Sequence, residues 1–575
     1  MKKTGAQIVV DALVQEGVDV VFGYPGGVVI PIFDVLYDTK ELTFVLTRHE
    51  QGAAHAADGY ARATGRVGVC IATSGPGAVN IMTGVATAYL DSIPMVAITG
   101  QVASPLLGTD AFQEADVVGI SRPITKHNFL VKNVNDLPVV LKQAFHIART
   151  GRPGPVLVDV PIDVARGIVD KYEYPSSVSI RSYKPTVNGH PKQIEKVAEL
   201  IAKSERPLIY AGGGCIASGC HEELRKLAET TNIPVTVTFM GLGCFPAEHP
   251  LFIGMPGMHG AKCANYTLQN CDLIVSVGAR FDDRVTGFVE KFAPNASIIH
   301  IDIDPASVSK IMKVDIPVVG DAKNILTALN KKIKPRPADA WNEKVMGWKG
   351  AKLFTYQPSD TEIKPQSVIE TLYDITKGDA VVCTEVGQHQ MWTAQYYKFK
   401  KPRSLVSSGG LGTMGFGLPA AMGAALTNPG VPVFDIAGDG SIQMNIQELA
   451  TISINKIPVK VVILNNSYLG MVRQWQQLFY NKRYSATCLR HSIKCPECKG
   501  PQECEKKYIP DFVALSESYG IPAFRTDKPS EVTEILRKGI EIDGPCVMEF
   551  IVSAEENVFP MVPAGKPIDE ILEES

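Results

Sequence analysis

The sequence predicts an α/β protein built of three doubly wound parallel-sheet domains. Short apolar runs alternate with amphipathic stretches along nearly the whole chain, which is the pattern of a parallel sheet covered by helices. Two polar, proline-containing stretches interrupt the alternation and divide it into blocks. In the first block the runs VDVVFGYP, LTFVLTR, VGVCIAT, PMVAITG and PVLVDVP read as strands, giving a domain over residues 1–170. The stretch YEYPSSVSIRSYKPTVNGHP (172–191) reads as a linker. A second domain, 190–332, contains PLIYAGGG, PVTVTF, DLIVSVG and SIIHIDID. A Pro- and Lys-rich connection beginning KKIKPRPADAW leads to the third domain, 366–555, with DAVVCTEVG, SLVSSGG, VPVFDIAG, VKVVILNN and PCVMEFIV, and a tail over 556–575 follows. No residue-level repeat relates the three.

Composition narrows the class. At 575 residues the chain has ample length for several buried cores. Net charge is -3, with 45% hydrophobic and 20% charged residues, so nothing attracts it generally to nucleic acid or to anionic membrane. The start, MKKTGAQIVVDALVQEG, runs directly into an amphipathic helical pattern and not a signal-peptide core. With no apolar run of about 18 residues, the expectation is a soluble cytoplasmic protein.

The segment Gly438-Asp439-Gly440-Ser441, followed 27 residues after Asp439 by Asn466, carries the chemistry. It lies in a strand, turn, helix, strand pattern. A right-handed crossover puts the carboxyl ends of both strands on one sheet edge, so Asp439 and Asn466 meet there. One carboxylate and one amide oxygen suit magnesium, which completes its octahedron with phosphate and water oxygens, and the glycines allow close approach of backbone to phosphate. The plainer reading is a strand-to-helix turn with a capping Asp. Glu50, in RHEQGAAHAADGYARATG, sits where a helix begins and suits its amino terminus. The small residues at 52–57 imply that this helix packs very closely against something, another subunit being one option.

Of the 12 cysteines, Cys70, Cys215, Cys220, Cys244, Cys263, Cys271, Cys383 and Cys546 lie scattered, mostly within apolar runs, and read as small hydrophobes. Cys488, Cys495, Cys498 and Cys504 instead crowd into one polar segment with the spacing Cys-x6-Cys-x2-Cys-x5-Cys. That spacing suits a tetrahedral zinc, an iron-sulfur centre, a reversible dithiol, or a solvated loop with no special role.

Taken together, RHEQ, SGPG, GDGS and LNN resemble the thiamine-diphosphate-dependent decarboxylase and carboligase superfamily. The longer strings GYPGG, GTDAFQE, GRPGPVLVDVP, ARFDDRVTG, EVGQHQMW, SGGLGTMGFGLPAA, GDGSIQMNIQELAT and LNNSYLGMVRQWQ resemble the catalytic large subunits of the acetolactate (acetohydroxyacid) synthase family, over nearly the whole chain. The resemblance implies a thiamine-diphosphate-binding fold with a Rossmann-like central domain. It implies that Asp439, Asn466 and the Tyr468 carbonyl hold Mg2+, and that Gly387, Gln388, His389, Gly440 and Ser441 hold the diphosphate. Glu50 would bond the aminopyrimidine ring, with Met391, Gly412 and Met414 shaping the bent cofactor. Gly27, Phe112 and Gln113 would line the pocket; Met471, Trp475 and Arg284 would face the substrate. FAD would lie against Arg152, Gly212, Gly213, Gly214, Thr238, His259, Arg280, Asp283, Arg284 and Asp302, although no full GxGxxG fingerprint is present. As acetolactate formation has no net redox step, the flavin would be structural or vestigial.

The implied reaction decarboxylates pyruvate and transfers the two-carbon unit to a second 2-oxo acid. The products are 2-acetolactate, or 2-aceto-2-hydroxybutyrate from 2-oxobutyrate, both leading to branched-chain amino acids. A homodimer or homotetramer is implied, with site halves from different subunits, and in this family a separate small regulatory subunit exists. The competing readings are a related flavin-using pyruvate oxidase or 2-oxo acid decarboxylase, and a non-catalytic paralogue. Three features depart from the family pattern: Ala103 where Pro is common, Ile162 where Lys is usual, and the cysteine-bearing insertion between Tyr484 and Pro510.

Overall fold

Three parallel sheets, each formed by one continuous stretch of chain, organise the computed structural model, which describes residues 2–490 and 510–573. The first sheet has six strands in the order Thr43–Leu46, Val20–Gly23, Gly68–Ala72, Met95–Gln101, Pro155–Pro161, His127–Leu130. The second has five, Val235–Val237, Pro207–Ala211, Leu273–Val277, Ser297–Asp302, Ile316–Val319. The third again has six, Leu405–Ser407, Val381–Thr384, Val433–Gly438, Val459–Asn465, Cys546–Ile551, Ala523–Thr526. In each the central strands are buried along their length, which is why they read as continuous apolar runs. The strands His127–Leu130, Ile316–Val319 and Ala523–Thr526 were not anticipated. All three are edge strands with residues half open to solvent, so they carry no such run.

Two stretches expected to be connections are fixed in place. In the first, Tyr174 donates to Glu16 (2.9 Å) and Lys126 donates to Tyr183 (3.0 Å), tying 172–191 to the first domain. The second contains the helix Ala340–Lys349, started by a capping box between Asp339 and Asn342. It buries Trp341, whose indole donates to the Pro207 carbonyl (3.1 Å). The tail docks on the second domain, with Val562 N–H donating to Met258 (2.8 Å) and Ile568 buried. Among the described residues no helix is long and apolar enough to cross a membrane.

The helix Glu50–Thr64 finds its close partner within the same chain, in the helix Gly417–Ala425 of the third domain. Glycine is required at the contact. A Cβ on Gly59 would lie 2.1 Å from the Ala420 carbonyl oxygen, and one on Gly423 would lie 2.0 Å from that of Ala56. Backbone therefore rests on backbone, and no side chain separates the two domains here. Arg403 adds a three-way tie, donating to the carbonyls of Arg62 (3.0 Å) and Ile216 (3.3 Å).

Gly423→Ala is expected to destabilise the protein by about 2 kcal/mol or more, the cost of overpacking against backbone that cannot yield. Gly347→Ala, at an exposed position of the helix Ala340–Lys349 where a Cβ meets nothing within 4 Å, should stabilise by about 0.5–1 kcal/mol. Chemical denaturation of both variants checks the pair.

Candidate active site

At the carboxyl edge of the third sheet four turns converge. The strands ending at Gly438 and Asn465 are adjacent and parallel, with Gly438 opposite Leu464, so Asp439 and Asn466 emerge side by side as expected. Asp439 is 4% exposed. Burial pushes its carboxyl up to about 7, against backbone N–H groups of Ser467 and Asn466 that favour the charged form. Among the described residues no cationic side chain pairs with it. A buried carboxylate with its charge unmatched, beside an amide oxygen, fits the oxygen donors that magnesium takes.

Asn466 is itself held in orientation. Its Oδ1 accepts from Tyr468 N–H (3.0 Å) and its Nδ2 donates to Gln388 Oε1 (3.3 Å). Ser467 between them has φ 63, a left-handed turn that a non-glycine residue adopts at a cost. Gln388 opens the helix Gln388–Tyr396, whose first amides follow Gly387 and provide anion-binding donors. Beside it lies His389, kept neutral by burial, which lowers its pKa to about 3, and with Nε2 unpartnered. A Cβ at Gly438 would lie 2.8 Å from this imidazole. Ser441 Oγ stays within the turn, accepting from Gly438 N–H (3.3 Å). Met414 approaches the Gly440 turn at 4.0 Å from a Cβ built there, and Gly412 faces Val386 in the same way at 3.9 Å. Met391 is half-buried on the Gln388 helix, packed against the apolar core. These predicted cofactor residues are thus brought to one edge.

The first-domain residues form a second cluster. Glu50 is the first residue of its helix, and Asn80 Nδ2 donates to its Oε2 (3.0 Å). Cβ positions on Gly26 and Gly77 would both meet Thr73, and Gly77 would also meet Glu50 Oε1 at 3.1 Å. Gly27 is exposed with open space beside it. Gln113, left-handed at φ 58, lays its backbone over Gly75, while Phe112 is 89% exposed. The contacts of Glu50 lie within the first domain and those of Asp439 within the third.

One tie between the first and third domains is Glu448, which sequence reasoning passed over. It is fully buried and accepts from Arg48 N–H (3.0 Å), His49 N–H (3.1 Å) and Thr451 Oγ1 (2.7 Å). A third-domain carboxylate therefore caps the turn that leads into Glu50. Nothing in the string IQELAT distinguishes it from a solvated helix carboxylate, and its partners lie 400 and 399 positions away in the chain.

Downstream of Asn466 the helix Gly470–Phe479 borders a cavity of about 530 Å³ lined by Met471, Val472, Trp475, Gln476, Tyr480, Arg483 and Ser485. Both predicted substrate residues on this helix face it. The Trp475 indole N–H is buried without a partner. The segment around Cys488 pairs with the turn after Asn466, Leu489 N–H donating to Ser467 (2.9 Å) and Leu469 N–H to Thr487 (2.9 Å). Cys488 is buried, as are the eight scattered cysteines, whereas Cys495, Cys498 and Cys504 lie outside the described residues. The two single-residue departures are neighbours in space, since Asp163, next to Ile162, accepts from Ser104 N–H (2.9 Å), next to Ala103.

The predicted flavin residues spread along the carboxyl edge of the second sheet. Gly212 and Gly214 face Gly278, where a Cβ would lie 2.5–2.6 Å from backbone, so close packing already requires them. Thr238 caps a turn by accepting from Gly241 N–H (3.1 Å). Asp302 lies 3.5 Å from His300, and Arg152 reaches across from the first domain to Asp304 (3.2 Å). Arg280 pairs with Asp282 (2.8 Å). His259 is buried and kept neutral, its pKa lowered to about 4. Asp283 and Arg284, both exposed, border a second cavity of about 230 Å³ closed by Val562–Gly565 of the tail. Arg284 thus stands at a cavity other than the one lined by Met471 and Trp475.

Domains of one known family match all or part of each sheet. Residues 3–120 match the thiamine pyrophosphate enzyme N-terminal TPP binding domain, 194–329 the central domain and 385–550 the C-terminal TPP binding domain. The chain is 50% identical to the acetolactate synthase large subunit of Corynebacterium glutamicum, over 99% of this chain and 90% of that one. It is 49% identical to the probable acetolactate synthase large subunit of Methanocaldococcus jannaschii, over 99% and 95% respectively. It is also 48% identical to the acetolactate synthase isozyme 3 large subunit of Escherichia coli, over 99% and 98%. The chain belongs to the acetolactate synthase large-subunit family. It is a thiamine pyrophosphate enzyme, and the buried Asp439 and Asn466 fall within the C-terminal TPP binding domain of that family.

Glu448→Ala is expected to cost about 1–3 kcal/mol, because it leaves two backbone donors without an acceptor. Exposed Glu290, changed to Ala, should stay within about 0.5 kcal/mol of the parent. Urea denaturation distinguishes them.

Proposed function

We propose that the protein catalyses acetolactate synthesis: decarboxylation of pyruvate and transfer of the two-carbon unit to a second pyruvate, or to 2-oxobutyrate. The observation that carries this reading is the unmatched buried carboxylate of Asp439 beside Asn466 and the Gln388 helix. The cavity carrying Met471 and Trp475 begins a few residues further along the chain. Asp439, the Asn466 amide oxygen and the Tyr468 carbonyl would hold Mg2+. The amides of Gly387, Gln388 and His389, with Gly440 and Ser441, would hold the diphosphate of thiamine diphosphate. That cofactor supplies carbanion chemistry when bound. Glu50 would hold a proton at the aminopyrimidine ring, its carboxylate kept in place by Asn80 and by the Glu448-capped turn. Gly412, Met391 and Met414 would fix the cofactor's shape. Met471 and Trp475 would keep water from the reacting carbon, and Arg483 offers charge for a 2-oxo acid carboxylate.

FAD would lie along the second-domain edge near Gly213, Arg280, Arg284 and Asp302 in a structural role. Because Glu50 and Asp439 have separate contacts within one chain, and Phe112 is almost bare, the complete site would form between two copies, in a homodimer or homotetramer. The protein would act in the cytoplasm, with a separate small regulatory subunit as the further partner.

The test is turnover of purified full-length protein with Mg2+, thiamine diphosphate, FAD and pyruvate. Acetolactate is the expected product. Formation of hydrogen peroxide or acetaldehyde in its place, or no carbon dioxide release, would contradict the proposal. Glu50→Gln should lower kcat by about 10²-fold or more, with the cofactor still bound. Asp439→Ala should instead abolish Mg2+-dependent cofactor binding, read by calorimetry.

A further inference from the structure

The loop Ser407–Phe416 of the third domain, which carries Gly412 and Met414, is held from outside by the first domain. The helix Met82–Asp91 ends against it. Asp91 has a side chain only 2% exposed, and a carboxylate at a helix carboxyl terminus is disfavoured by the helix dipole. It is stabilised from the other side. Two consecutive loop amides donate to it, Gly409 N–H (3.0 Å) and Gly410 N–H (2.7 Å), together with Arg62 Nη2 (2.8 Å). Arg62 also donates to the Ser407 carbonyl (2.7 Å) and lies over the Phe416 ring at 5.1 Å, so it touches both ends of the loop. One turn earlier in the helix, Thr87 Oγ1 and Thr413 Oγ1 share a hydrogen bond of 2.8 Å. The residue after Asp91, Ser92, accepts from Arg152, which also reaches Asp304 of the second domain.

Within the third domain Glu385 completes the grip, accepting from Gly415 N–H (2.6 Å) and Leu418 N–H (3.2 Å). Gly412 at φ 72 and Gly415 at φ 86 are left-handed, so the loop's own backbone would not select this path without such anchors. Beyond Gly410 the fixed points leave Leu411, Gly412 and Met414 between anchors, and of these Gly412 and Met414 are the ones assigned to the cofactor.

We propose that Asp91, with Arg62 and Thr87, is a positioning residue for the thiamine diphosphate site, setting the Gly412–Met414 segment from the first domain of the same chain. The proposal rests on the cofactor assignment above. In it the first domain acts twice: Glu50 serves one cofactor directly, and Asp91 shapes the loop that contacts a cofactor through the third domain.

The experiment measures thiamine diphosphate binding to full-length protein by calorimetry at saturating Mg2+, well below the melting temperature of each apo variant. Asp91→Asn should raise Kd about tenfold and Thr87→Val about fivefold, the scale of a lost charged and a lost neutral hydrogen bond. Thr87→Ser, which keeps the hydroxyl, should restore the parental Kd. Hydrogen exchange of residues 407–416 in the apo protein should quicken in Asp91→Asn. Both variants binding within twofold of the parent, with only the melting temperature lowered, would overturn the proposal. So would unchanged exchange of the loop. A parent protein that takes up no thiamine diphosphate would instead overturn the functional reading, whatever the loop does.

Discussion

Contact of backbone with backbone between the helices Glu50–Thr64 and Gly417–Ala425 is the constraint on which the rest of the molecule depends. Two close approaches define it, Gly59 on Ala420 and Gly423 on Ala56, while Gly68 on the Ala57 carbonyl, at 2.0 Å from a built Cβ, seats the first helix on its own sheet. With so little side-chain material between them, the helices have one separation and almost no freedom to slide, since interiors at crystal-like density do not deform smoothly. The amino end of one helix is Glu50. The residues leading into the other are the loop Ser407–Phe416. Fixing the pair therefore fixes the placement of two site elements that belong to different sheets and lie more than 350 residues apart.

The same contact decides where charge is tolerated. Arg62 is enclosed between the domains, and its neighbours Asp58 and Asp91 satisfy it from both sides. Asp58 shows the cost, as burial drives its carboxyl up to about 6 even though Arg62 pulls the other way. His55, buried on the same helix, is kept neutral, with a pKa of about 3. Asp439 is the contrast, buried to a similar degree without a cationic side chain among the described residues. A network matched internally is architecture.

The sequence was legible where physics acts locally. Strands buried on both faces declared themselves as apolar runs, and Asp439 and Asn466 could be brought together because neighbouring parallel strands end on the same edge. The three strands that went unread, at His127, Ile316 and Ala523, are edge strands whose composition is set by solvent on one side. The helix Ala340–Lys349 was hidden by the prolines and lysines before it. The crowding of small residues at 52–57 was visible, yet the partner was open to two readings, and it proved to be the same chain. Glu448 and Asp91 were illegible for a different reason. Each looks like an ordinary helix carboxylate, and only donors some 300 to 400 positions distant give it a task. The roles assigned to Gly27, Phe112 and Gln113 came from family motifs, since all three are exposed in a single chain and the contact of Gln113 with Gly75 is one of backbone packing.

Native-state hydrogen exchange tests the central constraint most directly. If the two helices form one rigid unit, amides in Glu50–Thr64 and Gly417–Ala425 will open with the same free energy, among the highest in the protein, despite lying in separate sheets. They will also fall together when Gly423 is replaced by Ala. Independent opening of the two helices, or a Gly423→Ala effect confined to the third domain, would contradict the account.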